Sequence, residues 1–136
     1  MQITAHEARS IIAAGEARAE EIGVRVNIAV LDAGAQLKAF SRMDGALLGS
    51  IDIAVGKAKT AALFQMATEA VGEFCKPGGG SPGLEQTNGG LVVFGGGLPL
   101  SAPDGTFLGA LGVSGGAVAE DMDVARAALS ALRATS

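Results

Sequence analysis

The chain has 136 residues, with ten Lys+Arg against fourteen Asp+Glu and a formal net charge of −4, a length that fits one domain over 1–136 and buries roughly two thirds of the unfolded chain's surface. An apolar fraction of 49% excludes a disordered chain, and a single cysteine excludes a disulfide framework or a multi-cysteine metal site. Net acidity without a basic run argues against nucleic acid or an anionic membrane as partner, and the absence of Trp and Tyr removes the usual stacking platform for single strands.

The first predicted element is a helix. Thr4 and Glu7 stand at capping-box spacing, with Ile3 and Ala8 at the staple positions. Ala8, Ile11, Ile12, Ala19 and Ile22 then recur near helical spacing, and Gly23 supplies the stop. Arg25 to Leu31 and Gln36 to Ser41 read as two strands joined by Asp32-Ala33-Gly34, a β-hairpin. A second helix is predicted over 47–64, its apolar face carrying Leu47, Leu48, Ile51, Ala54, Val55, Ala58 and Ala62. A shorter one over about 67–75 ends at Pro77 and the glycines that follow. Residues 76–90 form a long loop, a length more often functional than idle.

Leu91 to Phe94 reads as a buried strand, turned by Gly95-Gly96-Gly97, and Leu98 to Leu100 runs back beside it. Asp104-Gly105 is a hairpin turn before a strand over Thr106 to Val113. Ser114-Gly115-Gly116 leads into a last helix over about 119–133. Five strands and four helices in this order give an α+β domain, a largely antiparallel sheet covered by helices.

Residues 86–103 carry no charge, yet Asn88, five glycines and two prolines make them strands and turns, not a membrane span. The first residues show no secretory signal, so a cytoplasmic home is the expectation. Mean hydropathy is +0.39. With only 18% of residues charged, some apolar surface is expected to be hidden between copies in a homo-oligomer.

Fourteen of the 21 glycines and all four prolines fall in 76–116, which marks the region for a ligand pocket. Gly78-x-Gly80-x-x-Gly83 matches a dinucleotide fingerprint in form only, because it follows a helix and holds Pro82. Ser114, Gly115 and Gly116 before the last helix offer amides to a carboxylate or phosphate. The competing reading is that Glu120, Asp121 and Asp123 satisfy that helix start themselves, leaving Ser114 a capping residue. Lys57 lies near the edge of the second helix's apolar stripe, able to reach a pocket or to snorkel. Glu85 is the lone acid of its loop, with Asn88 and Gly90 just before a strand. They are either turn formers or ligand contacts. Arg42 and Asp44 close the hairpin strand, as ligand contacts, with Arg42 able to neutralise an anion, or as a rim salt bridge or a helix N-terminal cap. His6 is the single histidine, a surface residue of a first turn or an axial ligand to haem iron at an interface between copies. Cys75 reads as a small apolar filler. No metal site is expected.

Val30-Leu31-Asp32-Ala33-Gly34, Phe40 to Ala46, Ser50-Ile51 through Lys57-Ala58-x-Thr60-Ala61, Gly89-Gly90 through Gly95 to Leu100, and Leu108 to Gly116 with Asp121 together resemble the GlcG/HbpS-like proteins. This family is also called the haem-degrading domain family and is found as the C-terminal domain of PduO-type proteins. The resemblance spans nearly the whole chain. It implies a profilin-like fold with a five-stranded antiparallel sheet, assembly into homo-oligomers, and haem or a corrinoid as ligand in some relatives. His6 lies outside the matched stretches.

Three functions follow as expectations. The first is a homo-oligomer that holds haem or a related tetrapyrrole, with His6 as donor. The second is an enzyme or sensor of a small carboxylate, with Arg42 or Lys57 neutralising the anion and Lys57 or Glu85 as acid or base. The third is an assembly module without ligand, whose glycines only let strands pack closely.

Overall fold

The structure is a computed structural model and describes residues 2–135. Helix α1 (Ala5–Ile22) starts at the capping box: Glu7 donates its amide to Thr4 Oγ1 at 3.1 Å and accepts the Thr4 amide at 2.9 Å. Gly23 closes the helix at φ +74°, a conformation costly for any residue with a Cβ. Strands β1 (Asn27–Asp32) and β2 (Leu37–Arg42) form the hairpin. Its turn is held by Asp32 Oδ1, which accepts from the amides of Gly34 and Gln36. Helices α2 (Gly49–Phe64) and α3 (Thr68–Cys75) follow, then β3 (Gly97–Ser101), β4 (Phe107–Ser114) and α4 (Val118–Thr135).

The strands make one antiparallel sheet in the order β2-β1-β4-β3. Alternation along β1 sorts its residues between two faces. Ile28 and Val30 join α1 and α4 in the main core, with Leu100, Leu111 and Val113. Ala29 and Leu31 face Ala54 and Ala58 of α2 on the other side. The architecture is therefore α+β, with helices on both faces of the sheet.

The sheet has four strands, not five. Residues 91–94 lie outside the ladder, and the amides of Leu91 and Val92 find other partners. Leu91 donates to the Glu85 carbonyl at 2.8 Å and Val92 to Thr60 Oγ1 at 3.1 Å. The Val93 carbonyl lies directly over Gly72, where any side chain would collide. The segment thus runs along α2 and α3. Two further expectations are corrected. Leu47 and Leu48 precede α2 and are exposed, while its buried face is Ser50, Ala54, Lys57, Ala58, Thr60, Ala61 and Ala62. Ser114 is the buried last residue of β4, and α4 begins only at Val118. Among the described residues no helix is long and apolar enough to cross a membrane.

Candidate functional site: a buried ion pair beside an open cleft

Helix α2 lies unusually close to the sheet. Gly112 of β4 sits under the Ala54 carbonyl, and a Cβ on Gly97 would stand 2.5 Å from the Lys57 carbonyl oxygen. Small residues on both partners permit this approach, and it draws Lys57 into the interior, where its side chain is fully buried. Its Nζ donates to the Val113 carbonyl at 2.8 Å and to Asp121 Oδ2 at 3.1 Å. The ammonium also lies 5.0 Å from the centre of the Phe94 ring, a cation–π distance. Asp121, on the first turn of α4 and also buried, accepts the Gly116 amide on its other oxygen at 2.9 Å. Gly96 completes the enclosure at φ +130°. A Cβ there would fall 2.7 Å from Nζ, so only glycine fits.

Two opposing effects act on this pair. Burial lowers the Lys57 pKa, and the charge and hydrogen bond of Asp121 oppose that shift. Burial likewise raises the Asp121 pKa, while the Gly116 amide and Lys57 pull it down. The proton between them is held less firmly by Nζ than in an exposed lysine.

A cleft of about 440 Å³ opens beside the pair, lined by Glu69, Cys75, Glu85, Val93, Phe94 and Gly95. Phe94, 45% exposed, both lines this cleft and lies with its ring centre 5.0 Å from Nζ. One buried carboxylate oxygen each of Glu69 and Glu85 has no hydrogen-bond partner among the described residues. A smaller pocket of about 90 Å³ shares Glu69 and reaches Gly96 and Met122. A separate groove of about 450 Å³ runs between the end of α1 and the end of β2, past Glu16, Glu20, Arg25, Met43 and Asp44.

Of the residues singled out from the sequence, Lys57 and Glu85 meet here, one behind Phe94 and one on the cleft wall. The others lie elsewhere. Arg42 is exposed at the end of β2. Asp44 lines the separate groove, where its carbonyl accepts from Arg25 at 3.2 Å. Asn88, at φ +54°, shapes an exposed turn, and its carbonyl accepts from Lys59 Nζ at 3.2 Å. Gly90 is exposed at φ +104°, serving the same turn.

Of the two readings at 114–116, the structure follows the one in which acids of the last helix satisfy its start. The Gly116 amide is taken by Asp121, and the Ala117 amide by Glu120 Oε1 at 2.8 Å. Gly115, at φ +154°, lies against the backbone of Arg25 and Val26, where a side chain would collide. His6 is exposed on the first turn of α1 and lines none of these three cavities. Among the described residues no group of three or more His, Cys, Asp or Glu is placed to hold a metal ion.

Sequence reasoning missed Asp121 and Phe94 as partners of Lys57. The available signal was spacing: Ser50, Ala54, Lys57 and Ala61 fall at i, i+4, i+7 and i+11, which puts Lys57 mid-stripe rather than at its edge. The partner on α4 lies 64 residues away and has no local signature.

Comparison with known proteins agrees with this architecture. A protein of Citrobacter freundii described as an uncharacterized 15.0 kDa protein of the dhaT-dhaS intergenic region is 41% identical over 128 residues, which is 93% of this chain and 89% of that one. The solved structure of the Klebsiella pneumoniae protein ORFY superposes with a TM-score of 0.94 at 38% identity, over 98% of this chain and 93% of that one. A structure described as a PduOC:haem complex superposes with a TM-score of 0.90 at 36% identity, over 96% and 95% of the two chains. The model of the haem degrading protein HbpS-like family matches residues 3–130, and the chain belongs to that family.

Proposed function

We propose that this protein binds haem or a related tetrapyrrole as a homo-oligomer, with the His6 imidazole as axial donor to the iron. The observation that carries this reading is the position of His6, exposed on the first turn of α1 and outside the cavities. An imidazole nitrogen is a good axial ligand for haem iron. A flat macrocycle held by the exposed His6 would meet this chain on one side only and would need a second wall. A second copy of the chain supplies the missing wall, in keeping with exposed Leu37, Leu47, Leu48 and Phe74 on a chain with few charges. The likeness to a relative solved with haem supports the choice of ligand.

The small-carboxylate reading draws less support. The Lys57 charge is answered by Asp121, the amides at 116 and 117 already hold carboxylates, and Glu69 and Glu85 give the cleft acidic walls. An assembly module without ligand is the outcome left if both fail.

The test is a hemin titration read at the Soret band, with sedimentation of the loaded protein. The expected result is a saturable shift of fixed stoichiometry on an oligomer, lost in His6→Ala. A weak, unsaturable shift indifferent to His6→Ala contradicts the proposal.

A further inference from the structure

We propose that Lys57 is a gated amine: when the Phe94 ring swings aside, Nζ faces the cleft and condenses with a small aldehyde or ketone, with Asp121 taking and returning the proton. This site shares no residue with the haem reading and stands independently of it.

Three features of the structure support the assignment. First, the Nζ surroundings contain one removable part. The Val113 carbonyl and Asp121 belong to β4 and α4, while Phe94 lies outside any helix or strand, meets Nζ at 5.0 Å from its ring centre and is 45% exposed. Second, Phe94 lines the open cleft, and the smaller pocket is lined by Gly96, the glycine packed against Nζ. Both cavities share Glu69, whose unpartnered carboxylate oxygen can accept a hydrogen bond from the hydroxyl of an adduct or from departing water. Third, a desolvated lysine with a nearby base is the usual form of an amine nucleophile. Burial lowers the pKa of this one.

The step balances within the site. The Lys57 ammonium passes a proton to the Asp121 carboxylate, 3.1 Å away. The free amine adds to the carbonyl carbon, forming the C–N bond of a carbinolamine. Asp121 then protonates the hydroxyl, the C–O bond breaks, and water leaves. The products are a protonated imine on Nζ, the Asp121 carboxylate paired with it, and one water. No oxidant or reductant is consumed.

Reductive trapping tests this directly. Intact protein is incubated with acetaldehyde and cyanoborohydride well below its melting temperature, and peptide mass spectrometry locates the ethyl groups. Lys38, Lys59 and Lys76 are exposed and serve as internal controls. The expected result is ethylation of Lys57 ahead of these three in the wild type, faster still in Phe94→Ala, and lost in Asp121→Asn. Phe94 is a surface side chain, so Phe94→Ala keeps the test valid if Asp121→Asn does not fold. Ethylation confined to the exposed lysines and the amino terminus in both wild type and Phe94→Ala overturns the proposal. Equal rates at Lys57 in those two proteins overturn the gate.

Discussion

The two faces of the sheet are built by different rules. On the α1 and α4 side, Ile11, Ile28, Leu100, Leu111 and Val124 fill a continuous apolar core. The α2 side uses alanine and glycine to bring a helix down onto the strands, and it buries the Lys57 ammonium, paired with Asp121 from the start of α4. The first face gains stability from apolar area removed from water. The second removes two charges from water, which costs free energy that their mutual attraction only partly repays. A face of that kind is poorly explained as stability alone, and it is the face that borders the cleft.

Three substitution experiments sharpen the contrast. The largest effect is expected on the polar face. Lys57→Met leaves Asp121 buried without its cation and should cost about 3–5 kcal/mol in denaturant unfolding. Lys57→Met combined with Asp121→Leu should recover most of that loss, since the pair itself contributes little net stability. If the double variant is as unstable as the single one, the pair is a structural requirement and the contrast between faces weakens.

On the apolar face, Leu100→Ala should cost about 2–5 kcal/mol through the cavity it leaves, whereas Gly97→Ala on the α2 side should cost about 1–3 kcal/mol by overfilling. Opposite changes in volume thus destabilise the two faces. A tolerated Gly97→Ala would show that α2 can lift, against the close approach described here.

The smallest effect is electrostatic and belongs to the surface of the α1 and α4 side. Arg18 bonds Asp123 at 2.9 Å and 3.1 Å, and this holds the Asp123 carboxyl below its ordinary value of 3.8. The folded state therefore binds its proton later than the unfolded chain does. The stabilisation is complete above the unfolded value and is lost as pH falls through the lowered one. Both side chains are more than a third exposed, so the effect is modest. Asp123→Asn should lower the melting temperature modestly at neutral pH and leave it nearly unchanged in acid, so that the acid limb flattens.

Legibility in the sequence follows the same division. Elements with local signals were readable: the Thr4–Glu7 box, the Asp32 turn, and the Gly23 stop all appear where the sequence places them. Residues 91–94 have strand composition, but Thr60 and Glu85 capture their amides, and no local pattern reports that competition. The acids after Ser114 were legible as satisfying the last helix's start, which Glu120 and Asp121 do, but β4 continues through Ser114, which is a strand residue and no cap. At the candidate site, Lys57 and Glu85 were legible as unusual residue types in apolar settings. Their environment was not, because Asp121 and Phe94 reach Lys57 only through tertiary packing. Among the other candidates, Asn88 and Gly90 form an exposed turn, and their polarity reflects chain reversal.

The most direct measurement places the tetrapyrrole on one region or the other. Wild type, His6→Ala and Phe94→Ala are titrated with hemin side by side and followed at the Soret band. Saturable binding is expected in wild type and Phe94→Ala, with its loss in His6→Ala. Binding that survives His6→Ala and disappears in Phe94→Ala would put haem in the cleft beside Lys57 and rule out His6 as the donor.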